Sequence, residues 1–343
     1  MPRTVALVSL ILIVVSTLWA IEALSVGALR LQDAKPHARA SEEAAKASVG
    51  GEYCAECHVA EHEALLASHH GAGEDTMHKT ELAKTIAEAL GVRRIKRDEA
   101  CVECHYAPVF ENDRYKIKQG VSCESCHGPA EAWVDLHDDL GDDAVETAEH
   151  RRHRVESTLA KGMRRPDHVY DLARGCYECH VVAGADLVKA GHATGEGFEL
   201  VAWSQGEVRH NFLASDGETN AKASVARLRV LWVVGQALEL EVSLERLASG
   251  KPTAPGLKER AAAAAANLKK AGELLGAQTE IVPMVAAHAA LKADADATAL
   301  RAAAAAIGAA NRSFAKGRDG RDLGPLDVLL PQPAGHRGKV HRP

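Results

Sequence analysis

Cys54-Ala-Glu-Cys57-His58, Cys101-Val-Glu-Cys104-His105, Cys123-Glu-Ser-Cys126-His127 and Cys176-Tyr-Glu-Cys179-His180 are four copies of one pattern. Together they use all eight cysteines of the 343-residue chain. Cys-x-x-Cys-His is the signature of covalent c-type haem attachment. Two thiols add to the two vinyl groups of one porphyrin, and the adjacent imidazole reaches the iron. Other chemistries of paired cysteines fit less well. Structural zinc needs closed sets of four ligands and does not demand a histidine after every second cysteine. A thioredoxin-like pair or a simple disulfide of an exported protein needs one such element, not four. The pattern therefore predicts four covalently bound haem c groups, with His58, His105, His127 and His180 as iron ligands.

Composition agrees. Only 4% of residues are aromatic against 46% apolar, which is thin for a conventional core around the motifs. Four porphyrins would supply the missing apolar bulk, so folding of that region should depend on cofactor. The formal net charge is −6. A modestly acidic chain argues against nucleic acid as a partner, which wants a basic surface.

Working outward from the motifs, the N-terminus carries Arg3 and then an apolar run from Val5 to Ile21. That is near the lower limit for a single membrane span and longer than an ordinary signal-peptide core. Residues 1–28 thus read as an N-terminal membrane anchor (a signal-anchor), or as a signal peptide cut near Val26-Gly-Ala28. Either way the motif region is exported. The expected location is the periplasm, anchored to the inner membrane by the N-terminal helix, or soluble there if the segment is cleaved. Residues 29–50 are polar and Ala-rich and read as a linker.

The expected fold class is mainly α with irregular loops: a multihaem cytochrome c core followed by an Ala-rich helical region. The core spans 51–215, as a tetrahaem domain of short helices and loops. Leu82, Ile86 and Leu90 at four-residue spacing, with Gly91 as a stop, predict a helix over Lys79–Leu90. An acidic stretch (Asp138, Asp139, Asp142, Asp143, Glu146, Glu149) runs into a basic one (Arg151, Arg152, Arg154, Lys161, Arg164, Arg165). It reads as a self-compensating solvated surface, or as charge that steers a redox partner. A helical domain follows over 221–315. Val225 to Leu247 forms one amphipathic helix with Leu228, Leu231, Trp232, Gly235, Leu238 and Val242 as its stripe. Leu257 to Leu275 and Ala293 to Phe314 are Ala-rich helices, with a shorter element over Ile281 to Leu291. High Ala content gives good helix propensity but little area to bury. Residues 316–343 read as a flexible tail.

The sixth iron positions need further ligands. The motif region holds spare histidines at 62, 69, 70, 78, 137, 150, 153, 168, 192 and 210, against two methionines, Met77 and Met163. This abundance favours bis-histidine irons of low potential, since a thioether ligand would raise it. Context singles out His70, beside Gly71; His137, beyond the third motif; His192, between Gly191 and Gly195; and His210, which ends the string from Trp203. Motif three is close to motif two in sequence, which predicts that their haems pack together.

Over about residues 50–215 the chain resembles the cytochrome c554 family of tetrahaem cytochromes. The resemblance rests on the four motifs, Ser122–Pro129 with Trp133 and His137, Gly191–Gly195 with Gly197–Leu200, and Trp203–Phe212. It implies stacked, nearly parallel haem pairs, three bis-histidine haems and a five-coordinate haem at the second motif, where His105 is the sole protein ligand. It implies His70 as the distal ligand of the third haem and His137 as that of the first. The fourth takes His210 or His192.

Covalent haems in close packing predict electron transfer between redox partners, either cytochromes or a membrane quinol-linked donor. The alternative is a multihaem reductase acting on a small nitrogen or sulfur species at the five-coordinate haem, with His78, Tyr106 and Tyr115 as acid–base candidates. Whether the protein is an enzyme stays open at the level of sequence.

Overall fold

Short helices separated by loops are what a chain builds when its apolar partners are cofactors rather than its own side chains. The computed structural model describes residues 42–141, 145–276 and 279–342. The expected anchor over 1–28, most of the linker, and Asp142 and Asp143 of the acidic stretch lie outside the described residues. Among the described residues no helix is long and apolar enough to cross a membrane.

The first part of the chain holds α1 (Glu42–Lys46), α2 (Gly51–Ala55), α3 (Val59–Leu66), α4 (His69–Thr76), α5 (Glu81–Ala89) and α6 (Glu99–His105). A two-stranded antiparallel hairpin follows, β1 (Ala107–Glu111) and β2 (Arg114–Gln119). Next come α7 (Cys123–His127), α8 (Val134–His137), α9 (Ala148–Ala160), α10 (Val169–His180), α11 (Ala185–Lys189) and α12 (Leu200–Ser204). Motifs two, three and four each end a helix on their histidine. Local capping sets where several of these helices start. Thr80 accepts the Ala83 N–H (3.1 Å) at the start of α5, and Asp98 accepts that of Ala100 (3.1 Å) at the start of α6. The hairpin was not expected. Its turn, Asn112-Asp113, puts both residues in the left-handed region (φ 50° and 55°), as a tight two-residue connection requires.

The later part is a helical bundle: α13 (Val225–Leu247), α14 (Leu257–Leu275), α15 (Ile281–Ala289) and α16 (Ala297–Gly317). The first two coincide with their expected bounds. The surface stripe expected on α13 is replaced by burial all round, from Val230 through Val233, Val234, Leu238 and Leu240 to Leu244. The reason is its central place: α10 and α12 pack against it as well as α14 and α16. Alanines at 261, 264, 265, 271, 303 and 304 are buried and keep these helices close. Val169, Tyr170, Ala173 and Tyr177 of α10 share one core with Leu238, Leu268 and Ile307. The fourth motif is therefore built directly onto the bundle, and Arg39–Pro343 forms one compact unit.

The Gly-, Pro- and Arg-rich composition predicts flexibility over 316–343, yet the chain here is laid down firmly. Leu323 and Leu326 are buried in the bundle core. Arg229 holds Asp327 through two hydrogen bonds (2.6 and 2.8 Å). The terminal stretch continues as far as the Trp203–Phe212 string, where Arg337 exchanges backbone hydrogen bonds with it.

Candidate metal centres

Each motif histidine faces exactly one of the singled-out histidines. His58 lies 6.2 Å from His137 between ring centroids, and His105 lies 5.9 Å from His192. His127 lies 6.2 Å from His210, and His180 lies 6.1 Å from His70. A metal–imidazole bond is about 2 Å, so two axial imidazoles on one metal hold their centroids roughly 6 Å apart. Rings packed edge-on also fall at about 4.5–7 Å, so what marks these sites is that one separation recurs at all four motif histidines. The four gaps fit a bis-histidine iron in size, which is the test that a resident haem must pass.

The orientation of the rings agrees. Nδ1 of His127 lies 2.9 Å from the Arg164 carbonyl, that of His192 lies 2.7 Å from the Ala193 carbonyl, and that of His210 lies 2.7 Å from the Val208 carbonyl. Nδ1 of His137 meets the Val134 carbonyl. A carbonyl oxygen only accepts, so each Nδ1 must carry the proton and donate. The Nε2 lone pair is then left for a metal.

Burial pushes the imidazoles of His105, His127 and His180 down to about 4, with neighbouring rings as further causes. Those neighbours show which sites adjoin. His58 bears on His127, whereas His70 bears on both His105 and His180. The thiols of Cys54 and Cys123 are hydrogen-bonding neighbours. The helix of motif three lies against those of motifs one and four, and the His70 ring stands near both His105 and His180.

Side chains other than the motif cysteines and histidines hold these sites in place. Glu124, inside the third motif, is buried and accepts the N–H groups of Val49 (3.0 Å), Gly50 (2.8 Å) and Ala130 (2.8 Å). It ties the approach to motif one onto motif three. Arg154 donates to the His137 carbonyl (2.6 Å) and grips Glu146 with two nitrogens (2.7 and 2.8 Å). That contact holds the Glu146 carboxyl at about 2. Part of the acidic–basic segment thus anchors His137. Phe198 stacks on His180 (centroids 4.2 Å, planes 12° apart), with Tyr177 edge-on to Phe198. Behind His180 stands Gly195, where a Cβ would fall 2.0 Å from the His180 carbonyl oxygen. Arg260 of the bundle donates to the neighbouring Thr194 carbonyl (2.8 Å) and pairs with Glu239.

These placements differ from what the resemblance implies at three of the four sites. His137 faces His58, as implied. His70 faces His180 and not His127, although its carbonyl accepts the Val121 N–H (3.2 Å) just before motif three. His210 faces His127, and neither it nor His192 faces His180. His105, implied to be the sole ligand of its iron, has the His192 ring opposite it. Among the other spare histidines, His69 meets Glu207 (2.8 Å) and His150 meets Glu146 (3.3 Å). Of the acid–base candidates, Tyr106 is buried with its hydroxyl near the His78 backbone, and burial pushes it up to about 12.

Residues 53–128 match the family model of cytochrome c554 and c-prime. The match takes in the first three motifs and stops beside the third histidine. Comparisons with curated proteins and with solved structures gave no match. The match supports a c-type cytochrome domain, and with it haem binding and redox chemistry, within a mainly helical chain.

Proposed function

We propose that the protein is a tetrahaem c-type cytochrome that passes electrons between redox partners in the periplasm, tethered to the inner membrane if residues 1–28 are retained. The observation that carries this reading is the facing of every motif histidine by one further imidazole at 5.9–6.2 Å. His58 with His137, His105 with His192, His127 with His210 and His180 with His70 would be the axial pairs. The eight motif cysteines would hold the porphyrins covalently. Haem iron with two imidazole ligands supplies one-electron transfer at low potential and leaves no iron position for a substrate.

The protein's own part is to fix rings and spacing. Backbone carbonyls orient the imidazoles, Glu124 fastens motif one to motif three, and α13 backs the fourth site. Motif three lies beside motifs one and four, and His70 stands near both His105 and His180, so the four sites adjoin in one group. The backbone contact between His70 and Val121 ties α4 to the approach to motif three. A reductase working at an open second iron would need empty space opposite His105, and the His192 ring stands there. Redox proteins, cytochromes or a quinol-linked membrane donor, are the partners this reading calls for.

Electron paramagnetic resonance of the air-oxidised protein tests it. The expected spectrum is low-spin throughout, and the reduced protein should not take up carbon monoxide. A high-spin signal from about one iron in four would overturn the four-pair assignment and return the reductase reading to first place.

A further inference from the structure

Residues 331–342 run as a strap, with one 3-10 turn at Pro333–Gly335, across the loop that presents His210. The Glu207 N–H donates to the Arg337 carbonyl (2.8 Å), and the Arg337 N–H donates to the Ala202 carbonyl (2.9 Å). The Asn220 amide donates both to the Arg209 carbonyl (2.7 Å) and to the His341 carbonyl (3.0 Å). On the far side of the loop, the His341 ring stands edge-on to Phe212 at 6.3 Å, and Phe212 is fully buried. The strap thus touches the chain on both sides of His210, and Asn220 locks it to the residue just before. Gly206 records how close the approach is. A Cβ there would lie 1.9 Å from the Arg337 carbonyl oxygen.

Apart from the strap, the loop is closed at Asn211, whose N–H donates to the Asn220 side-chain oxygen (3.0 Å) and whose amide donates to the Ala221 carbonyl (3.0 Å), and neither bond reaches the His210 ring. The residue is exposed, and its ring makes one local hydrogen bond, to the Val208 carbonyl. The other three distal histidines have anchors of their own. His70 sits on α4 with its carbonyl tied to Val121. His137 is held by Arg154, and the loop of His192 is held through Thr194 by Arg260. Holding an exposed loop in one conformation costs entropy, and the strap's contacts add to those of Asn220 and Ala221 in offsetting it.

We infer that the C-terminal strap is the positioning element for His210, holding its imidazole opposite His127, and that loosening the strap opens this one site. The inference rests on the reading that His127 and His210 share one haem iron. Loss of the strap would convert a closed electron-transfer haem into one able to take an exogenous ligand, while the other three stay closed.

The test uses the haem-loaded protein in four forms: the full chain, a chain ending at Leu330, Asn220→Ala, and His210→Ala. The readouts are the ferric high-spin signal and carbon monoxide uptake after reduction. His210→Ala should turn one haem in four high-spin. The shortened chain should show the same signal, and Asn220→Ala a smaller share of it, with the remaining haems low-spin. A high-spin haem in His210→Ala alongside wholly low-spin spectra for the shortened chain and Asn220→Ala would overturn the strap inference and leave the ligand pair standing. Low-spin spectra for His210→Ala itself would show that the ligand pair is wrong, and the strap inference falls with it. Should the chain ending at Leu330 fail to load haem, one ending at Gly335, which still lacks Arg337 and His341, decides in its place, because Asn220 also holds Asn211 directly.

Discussion

The imidazoles of His105 and His192 stand 5.9 Å apart, although the hairpin, the third motif and the fourth all intervene in the chain. This one relationship decides whether the second site is closed or open. Replacing His192 by Ala should give a ferric high-spin signal worth one iron in four and carbon monoxide binding after reduction. Unaltered low-spin spectra would remove His192 from the ligand set.

Arg154 links α9 to the carbonyl of His137 and to Glu146. Arg154→Ala should cost about 1–3 kcal/mol, the range for hydrogen bonds to charged groups. Thermal unfolding of the haem-loaded protein measures this. Arg154→Lys should recover only part of it, because an ammonium lacks the planar fork. Full recovery by Lys would show that charge alone matters here.

Glu124 satisfies three backbone donors at the seam between motifs one and three. Glu124→Ala strands them, at a cost on the order of 3 kcal/mol or more. Glu124→Gln keeps one acceptor oxygen and should fall between. Urea midpoints and haem content per chain are the measurements. A wild-type midpoint for Glu124→Ala would show that water replaces the carboxylate freely.

Glu241 is buried between α10 and α13, where it accepts from Tyr170 (2.7 Å) and Arg174 (2.8 Å), with Glu245 and Arg312 also near. Burial pushes its carboxyl up from 4.5 to about 7. The folded protein therefore holds this proton more tightly than the unfolded chain does. Stability from this group is greatest below the unfolded value, falls as pH rises between the two values, and is level above them. Glu241→Gln should flatten that fall in unfolding experiments run across the window. An unchanged slope would place the titration elsewhere.

In the bundle, Leu268 is fully buried among alanines. Leu268→Ala should cost about 2–5 kcal/mol, because backbones already close cannot collapse further into the gap. A loss below that range would mean that α14 shifts to fill it.

The cysteine pattern and the helix bounds of α13 and α14 were legible because they are written in local spacing. All eight histidines that face one another were among those marked by sequence, as motif members or by context. Who faces whom was not legible, since His70 and His210 each reach across more chain than spacing can describe. The hairpin was available in Asn112-Asp113 between Phe110 and Tyr115 but is a short signal beside two motifs. Burial of α13 on every side was hidden because carboxylates such as Glu239 and Glu241 are buried only when paired. Their partners, Arg260, Tyr170 and Arg174, come from other helices. The tail misled for a similar reason: Leu323 and Leu326 are few, and only the bundle makes a place for them.

Tyr177 and Val169 on the fourth motif's helix are covered by α13, which belongs to chain made after that motif. Under the proposed function the polypeptide is exported N-terminus first, so Cys176 and Cys179 emerge before α13 to α16 can form. Both thiols stay half-exposed once the bundle is in place. Early haem attachment would therefore meet free chain, whereas late attachment would work on a helix already pinned along one face.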